Sequence, residues 1–502
     1  MTGSAAMAME TRRGAPTPPI DLVGREVRLA AQRVEVDDAL LARLQGVCPI
    51  DTDDDTIEHG RDWWPLTMVW AVAGQVPAQP AVVARPTSAA EVAALLALCN
   101  EARVPVTATA GRSGVCGSSV PVHGGVALDL CGLSGIVAVD DESLLLDVRP
   151  GTFGDVLEDE LQADHDVTLG HWPQSMALST VGGWLACRGA GQYSTRYGKI
   201  EDMVVGLEVA LADGRLVRTG GTAPRSAVGP DFNQLFVGSE GTLGVITEAR
   251  LRVHPKPPAE RRGAWAFPSF AAGLDACRRI LRRGATPAVL RLYDDIETKR
   301  GYDLDTHLLI VLDEGDAAVV DATFAVVDDE CRSAESVDDA VVAKWLAHRN
   351  DTSALQSVIK HGIVVDTTEI AARWGALPGI YDAALAALRG VDGMLAASAH
   401  QSHSYLDGAC VYFTWAGRRE GEGWEDAFYR EAWDAVTTTV LAHGGALSHH
   451  HGVGLNRGRF MRDALGPAFD LLVSMKQALD PNGILNPGKL GLPSPWGAPA
   501  WP

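Results

Sequence analysis

The sequence predicts an α+β fold divided into two or three domains. Its 502 residues are more than one hydrophobic core usually serves. The composition is that of a globular protein, with 46% hydrophobic and 21% charged residues. Short strand-like runs alternate irregularly with amphipathic helical stretches, and no dinucleotide-binding G-x-G-x-x-G joins a strand to a helix.

The first half of the chain indicates one α+β unit. A helix is predicted over residues 88–99, because Ser88 and Glu91 form a capping box ahead of an apolar stripe. A hairpin is predicted from residue 201, with its turn at Asp213-Gly214. Further predicted elements are strands at 104–110, 125–130, 135–139 and 144–151, a helix at 153–162, and a long strand after the glycine-rich loop near 240.

The prolines at 255–258 mark a domain boundary, and residues 264–440 alternate strands and helices as a second α+β unit. The chain ends are expected to be loose, with disorder over residues 1–19 and a loose tail after residue 492.

Residues 51–62 have the acidic spacing of a calcium loop. However, Thr56 stands where the sharp turn needs Gly and Asp62 where Glu is required, so we expect a solvated acidic loop.

Charge and cysteine use exclude several classes of function. The net charge of −21 disfavours nucleic acid or an anionic membrane as the main partner. The eight cysteines are isolated, without a C-x-x-C pair, so a zinc-ribbon or thioredoxin site is not expected. Without a signal peptide or an integral membrane segment, the expected location is cytoplasmic.

Three segments rich in small residues point to a flat, phosphate-bearing ligand: 111–117, 170–191 and 238–248. Glycine tolerates the positive φ of an anion nest and lets backbone N–H groups approach a phosphate. The first segment taken alone more often indicates an ordinary surface turn.

The three segments, in this order, resemble the flavin domain of the vanillyl-alcohol-oxidase, or PCMH-type, flavoproteins. The motifs STVGGW, YGKIEDMVV, GPDFNQLFVGSEGTLGVITEA, DGACVYF and SHHHGVG resemble its alkylglycerone-phosphate synthase branch, over about residues 78–490. The resemblance implies a two-part PCMH-type FAD-binding domain, an α+β cap (substrate) domain, a C-terminal segment returning to the flavin site, and a homodimer. The predicted boundaries are an N-terminal extension, partly disordered, at 1–77, the FAD-binding domain at 78–257, the cap at 258–445, the C-terminal segment at 446–490 and a tail at 491–502.

The resemblance also assigns cofactor residues. Those expected at the pyrophosphate are Gly111, Arg112, Ser113, Gly114 and Val115. Those expected to line the flavin are Ser175, Ser179, Thr180, Gly182 and Gly183, and those on the adenine side are Glu240, Gly241, Gly244, Val245 and Ile246. Cys116 replaces the histidine that attaches FAD covalently in some relatives, so non-covalent FAD is expected, with a Cys116 thioether as the alternative.

Imidazole titrates near neutral pH, and histidines beside a flavin suit proton transfer. By resemblance, Tyr412, His450 and His451 are the catalytic candidates, while His171, Arg291, His400 and His403 line the substrate pocket. Since neighbouring side chains of an extended segment point in opposite directions, at most two of the three triplet histidines are expected to face the pocket. A metal site or plain packing is the alternative for the triplet.

The chain departs from the synthase pattern at one informative position. The synthases carry an arginine about a dozen residues before a VVDT-like segment, and the matching position here is Leu355. Leucine cannot replace a guanidinium that binds phosphate.

The metal-binding His of related 2-hydroxy-acid dehydrogenases is also absent from LDGACVY, so no metal is expected.

These observations predict an FAD-dependent oxidoreductase that removes a hydride from a small polar hydroxy or amino substrate. The alternatives are a true alkylglycerone-phosphate synthase, with no net redox change, and a non-catalytic flavoprotein.

Overall fold

The computed structural model describes residues 20–499 and 501, apart from residues 22–23, 30–31 and 53. The disorder expected for residues 1–19 lies outside the described residues. The described α-helices are Asp38–Gln45, Pro65–Val72, Ala89–Ala102, Gly154–Asp164, Val181–Cys187, Ser194–Tyr197, Ile200–Met203, Asn233–Phe236, Phe270–Arg282, Asp295–Tyr302, Ala317–Glu330, Ala340–His348, Ser353–Lys360, Leu377–Arg389, Glu425–Ala442, Met461–Leu465 and Ala468–Leu479.

The strands, numbered β1 to β20 in chain order, are Glu26–Val27, Ile50–Asp51, Gln75–Val76, Val82–Ala84, Val106–Thr109, Val126–Asp129, Ile136–Asp140, Leu145–Val148, Val167–Thr168, Val204–Ala210, Leu216–Arg218, Val245–Arg252, His254–Pro255, Ala259–Phe267, Val289–Tyr293, His307–Gly315, Glu335–Val337, Val364–Arg373, Met394–Ser404 and Gly408–Gly417. The predicted mixture of helices and sheets is confirmed. Among the described helices, none is both long and apolar enough to cross a bilayer.

Two larger sheets, beside the two-stranded pairs β1-β3 and β9-β13, lie in the half of the molecule before residue 257. One has the order β2-β4-β6-β5, and the other has the order β11-β10-β12-β8-β7. The helix Ala89–Ala102 packs Val92, Leu95 and Leu96 into the core of the first sheet, and the Ser88 side chain caps it by accepting from the N–H of Glu91. The predicted hairpin forms between β10 and β11, but it begins at Val204 because Ile200–Met203 is helical.

A seven-stranded sheet, ordered β17-β14-β16-β15-β19-β20-β18, forms the second half. Its apolar face is covered by the helices Phe270–Arg282, Ala317–Glu330, Leu377–Arg389 and Glu425–Ala442. The opposite face of β18, β19, β20 and β15 carries the polar side chains of the candidate site.

Two expectations about the chain ends and the acidic loop are wrong. Trp501 is only 4% exposed and packs edge-on against Trp64 and Trp70, with ring centroids 5.8 Å apart in both pairs, so the tail is anchored at this residue. Residues 56–62 are largely buried instead of solvated, and the side chain of Asp62 accepts from the N–H of Trp64 at 3.1 Å. Trp501 also packs against Tyr429 in the second half of the chain, whereas residues 56–62 are held within the first half, where Nε2 of His59 lies 3.1 Å from Asp129.

Candidate active site

Four polar side chains form one row across the seven-stranded sheet. Register pairs Tyr293 with His400, His400 with Tyr412, and Tyr412 with Glu369, on β15, β19, β20 and β18. Directly paired residues of neighbouring strands point to the same face, so the row places these side chains side by side. The His400 ring stacks on the Tyr412 ring with centroids 4.6 Å apart.

Tyr412 meets the histidine triplet through His450. The Tyr412 hydroxyl lies 2.5 Å from Nε2 of His450, within range of a short hydrogen bond. Burial raises the pKa of Tyr412 well above its usual value, and burial together with the neighbouring His451 lowers the pKa of His450 well below its own. Both groups are therefore neutral at pH 7, and the tautomer in which Nε2 of His450 is unprotonated accepts from the phenol.

Glu369 organises the triplet. Its Oε1 accepts from the Ser448 hydroxyl at 2.5 Å and from the backbone N–H groups of His449, His450 and His451 at 3.1, 3.1 and 2.9 Å. Arg457 pairs with the same carboxylate, and both side chains are fully buried. Burial alone would raise the pKa of Glu369, but the charge of Arg457 lowers it well below its usual range.

The histidine triplet is therefore not extended like a β-strand, which was the basis for expecting its side chains to alternate. Three consecutive N–H groups converge on one carboxylate oxygen, which an alternating strand cannot do. As a result all three imidazoles cluster: ring centroids lie 5.0 Å apart for His449 and His450 and 4.5 Å apart for His450 and His451. How many of the three imidazoles face the pocket stays a prediction, because these distances describe only their contacts with one another.

A β-bulge aims His403 at the triplet. Ser402 pairs with Cys410 and Ser404 with Ala409, so His403 is the extra residue, and it has φ of +55°. Bulges re-aim side chains in this way. The His403 ring lies 5.1 Å from that of His449 and 4.9 Å from that of His450.

His403, His449 and His450 offer nitrogens within 4.8 Å of one another, the one group in the described part of the chain with such a spacing. The absence of a metal stays a prediction from the sequence.

Arg291 supplies the cation of the pocket. Its Nε donates to the Tyr293 hydroxyl at 2.7 Å, and its Nη2 lies 2.7 Å from Nε2 of His400. On the far side, Nδ1 of His400 lies 2.8 Å from Glu297. No carboxylate within the described residues forms a salt bridge with Arg291 itself.

The first glycine segment fits a phosphate group. Within the described part of the chain, no backbone N–H from Ser113 to Cys116 donates a hydrogen bond. Partly buried N–H groups without an acceptor are rare, and such a row suits phosphate oxygens. A Cβ on Gly111 would overlap the carbonyl of Leu178, so this loop packs directly against the second segment. The Arg112 side chain points elsewhere and donates to the carbonyl of Glu58.

The second segment is held mainly by its own contacts. Ser179 accepts from the indole of Trp184 at 2.7 Å and donates to the carbonyl of Ser175, and Thr180 caps the helix Val181–Cys187. Gly182 packs against Pro150, whereas Gly183 has only its Thr180 cap nearby and leaves room for a ligand.

Glu240, in the third glycine-rich segment, holds the backbone that follows the histidine triplet. Its carboxylate accepts from the N–H groups of Val453 at 2.6 Å and Gly454 at 2.8 Å. Gly241 has a positive φ, and Gly244 packs tightly on Val209. The side chains of Val245 and Ile246 lie in hydrophobic cores, so they contribute to a ligand site only through their backbone.

Among the buried polar side chains without a partner in the described residues, His171 belongs to the second glycine segment and Asn456 contacts Cys116 of the first, and both mark space for a cofactor. Both ring nitrogens of His171 are unpaired, and its ring lies 4.5 Å from that of Trp184. Both amide atoms of Asn456 are also unpaired, and its backbone N–H donates to Cys116. Within the described residues, His171 forms no hydrogen bond or ring contact with Tyr412 or the triplet, so the structure does not join it to the other substrate candidates. The open glycine loop and these unpaired groups fit FAD.

Cys116 is buried and tied to the C-terminal segment. Its Sγ donates to the carbonyl of Gly452 at 3.7 Å, and burial raises its pKa well above the usual value. The residue carries a protonated thiol in this position.

Sequence reasoning missed Glu369, Arg457, Glu297 and the participation of His449. One signal was available: Glu369 interrupts the β-branched run VVDTTEI, where a charge is costly unless it is paired. Nothing local in the sequence indicates that Arg457, 88 residues away, is its partner.

Comparison with known proteins gives two family matches: residues 80–220 match an FAD binding domain, and residues 256–490 match the C-terminal domain of FAD linked oxidases. Alkyldihydroxyacetonephosphate synthase of Dictyostelium discoideum is 31% identical, covering 83% of this chain and 74% of the relative. The FAD-linked oxidoreductase YgcU of Escherichia coli O157:H7 is 31% identical, covering 82% and 89%. Glycolate oxidase subunit GlcD of Bacillus subtilis is 28% identical, covering 83% and 90%.

Solved structures agree in fold. One alkyldihydroxyacetonephosphate synthase structure superposes with a TM-score of 0.76 at 24% identity, covering 96% of this chain and 92% of the other. Substrate-bound p-cresol methylhydroxylase gives 0.75 at 20% identity, covering 92% and 99%. The predicted PCMH-type fold and the resemblance on which it rests are confirmed.

Proposed function

The chain belongs to the FAD-linked oxidases, and from this premise we propose that it is an FAD-dependent oxidoreductase acting on a small hydroxy or amino substrate that carries one negative charge. FAD is the cofactor that the family implies, and when bound it supplies the acceptor for a hydride from the substrate carbon. The observation that carries the proposal is the neutral Tyr412–His450 pair, joined at 2.5 Å, because an oxidised hydroxyl or amine must also lose a proton.

Tyr412 acts as a neutral relay. Since burial keeps its phenol protonated, Tyr412 accepts the substrate proton only as it passes its own proton to Nε2 of His450. Glu369 holds His450 in place through the backbone of the triplet. His451 lies 3.3 Å from Glu369, and its ring meets the Tyr412 ring edge-on with centroids 5.8 Å apart.

Arg291 supports the charge of the substrate. A partly buried guanidinium without a carboxylate partner favours an anionic ligand, and one such cation matches a carboxylate better than a phosphate with close to two charges. Leu355 supports the same choice, since it packs in an apolar cluster with Val115 and Leu178, beside the cofactor loops.

The second candidate is alkylglycerone-phosphate synthase. It is favoured by the 31% identity with the Dictyostelium enzyme and by the presence of Tyr412, His450 and His451. The homodimer, the cytoplasmic location, the domain limits and the non-covalent attachment of FAD stay predictions.

The deciding experiment is anaerobic stopped-flow absorbance of the purified flavoprotein. Small 2-hydroxy acids or 2-amino acids should bleach the flavin, and Tyr412→Phe should slow the bleaching by roughly 10²-fold with unchanged flavin content. Tyr381→Phe is the matched control, because Tyr381 stacks on Phe270 away from the site. Ether formation from acyl-dihydroxyacetone phosphate, with no bleaching by any acid, would establish the synthase instead.

A further inference from the structure

The hydrogen-bond chain that begins at Tyr412 does not end at His450. Nδ1 of His450 lies 2.9 Å from Nδ1 of His449, and Nε2 of His449 lies 3.1 Å from the Tyr405 hydroxyl. Tyr405 in turn lies 3.2 Å from the hydroxyl of Ser194. We refer to Tyr412, His450, His449 and Tyr405 as the relay.

The chemistry of imidazole makes all the hydrogen bonds of the relay run in one direction. A neutral imidazole carries one N–H and one acceptor nitrogen. If Tyr412 donates to Nε2 of His450, then His450 donates from Nδ1, His449 accepts at Nδ1, and His449 donates from Nε2 to Tyr405. All donors point the same way, and moving one proton along the chain reverses all of them together.

The members of the relay are held neutral, so a proton passes through without resting on any of them. Burial, with the charge of Lys199, lowers the pKa of His449 to about 3. Lys199 contacts His449 directly, since its Nζ donates to the backbone carbonyl at 2.7 Å. Burial raises the pKa of Tyr405 well above its usual value.

The relay ends at the surface. Tyr405 is partly exposed and opens the turn between β19 and β20, where its N–H donates to the carbonyl of Gly408 at 2.8 Å. The next residue, Leu406, is 69% exposed. His450 and His449 are buried between two partly exposed tyrosines, so the relay runs from Tyr412 at the pocket to Tyr405 at the turn.

We propose that Tyr412, His450, His449 and Tyr405 form a proton relay that carries the substrate proton from the pocket to solvent. The substrate proton goes to the Tyr412 oxygen, and the Tyr412 proton moves to Nε2 of His450. The Nδ1 proton of His450 then moves to Nδ1 of His449. Finally the Nε2 proton of His449 moves to the Tyr405 oxygen, and the original Tyr405 proton leaves to water. Each O–H or N–H bond that breaks is replaced by one that forms, and every member ends neutral. The inference rests on the proposed function for the origin of the proton, and it makes Tyr405 and His449 proton-transfer residues that do not touch the substrate.

Tyr405→Phe tests the relay, because it removes one hydroxyl at the solvent end and leaves Tyr412 and the pocket intact. In anaerobic stopped-flow at saturating substrate, flavin reduction in the variant should be slower than in wild type by a factor of about 10 or more. The affinity for the substrate should be unchanged. Small protonated buffers should restore the rate in proportion to their concentration, since they replace the missing carrier. Tyr381→Phe should show neither effect.

A readout independent of turnover is the tautomeric state of the histidines, measured by 15N NMR of histidine-labelled protein. Tyr405→Phe should shift the nitrogen resonances of His449 and leave the triplet loop folded. Unchanged His449 resonances, or a Tyr405→Phe rate that equals wild type, would overturn the relay.

The outcomes separate the relay from the proposed function. Loss of flavin reduction in Tyr412→Phe, with a normal rate in Tyr405→Phe, would remove the relay and leave the oxidoreductase standing. No bleaching of wild-type flavin by any acid would remove the oxidoreductase, while the NMR arm still reports on the hydrogen-bond chain. A stoichiometric metal in the purified protein, found by elemental analysis and bound to Nδ1 of His449 and His450, would overturn the relay by occupying its central link.

Discussion

Glu369→Gln is the substitution for which the structure gives the clearest magnitude. The side chain is fully buried, and it accepts from Ser448, from three backbone N–H groups and from the equally buried Arg457. Replacing the carboxylate by an amide preserves shape but leaves the guanidinium without its counter-charge. Breaking a buried ion pair in this way costs about 3–5 kcal/mol.

Two other contacts of Arg457 place the expected cost near the lower end of that range. Its Nη1 also donates to the carbonyl of Leu447 at 3.0 Å, and its guanidinium lies 4.8 Å from the ring of Trp433. A loss of about 3 kcal/mol lowers the melting temperature of a unit of 150–250 residues by roughly 6–12 °C. Turnover should also fall, since the triplet backbone loses the acceptor that places His450 against Tyr412.

The assay is thermal unfolding followed by circular dichroism, with flavin content and turnover measured on the same samples. Glu431→Gln is the matched control. It removes the carboxylate that pairs with Arg419 at the surface, where Glu431 is 54% exposed and such a pair is worth about 0–1 kcal/mol. A Glu369→Gln protein that melts within about 2 °C of wild type and retains its turnover would refute the role given to this carboxylate.

Three further predictions concern the cofactor, the substrate and acid stability. Acid precipitation should release free FAD, because Cys116 is buried as a protonated thiol; flavin that stays with the protein would contradict this. Leu355→Arg should lower the Kd of dihydroxyacetone phosphate about 10-fold or more in a flavin-absorbance titration, whereas Leu471→Arg, on an exposed helix position, should not change it. Burial alone would raise the pKa of Asp129, but its contacts with His59 and Arg85 lower that pKa to about 2, below its value in the unfolded chain. The ionised carboxylate therefore stabilises the fold above about pH 4, and this contribution is lost as the pH falls toward 2. In urea unfolding, Asp129→Asn should remove about 2–3 kcal/mol of stability at pH 6 and little at pH 2.

Much of the fold could be predicted because its signals are local. Ser88 and the apolar stripe that follows it define a helix within one short segment, and the Asp213-Gly214 turn joins two strands that are neighbours in sequence. The glycine loop at 111–115 and the triplet at 449–451 are likewise visible as short motifs, and the order of such motifs indicates the family and its cofactor. Propensity, capping and close backbone approach act over a few residues, so the sequence by itself determines them.

The arrangement of the site was decided only by the tertiary structure. Glu369 and Arg457 are 88 residues apart and meet because β18 lies beside the C-terminal segment, and Tyr405 reaches His449 across 44 residues. His403 joins them only because one extra residue in β19 forms a bulge, and a shift of one residue in register would turn Glu369, His400 and Tyr412 to the opposite face of the sheet. Strand register and bulges result from the packing of the whole sheet, which is the physical reason that no local pattern in the sequence could specify the contacts between these residues.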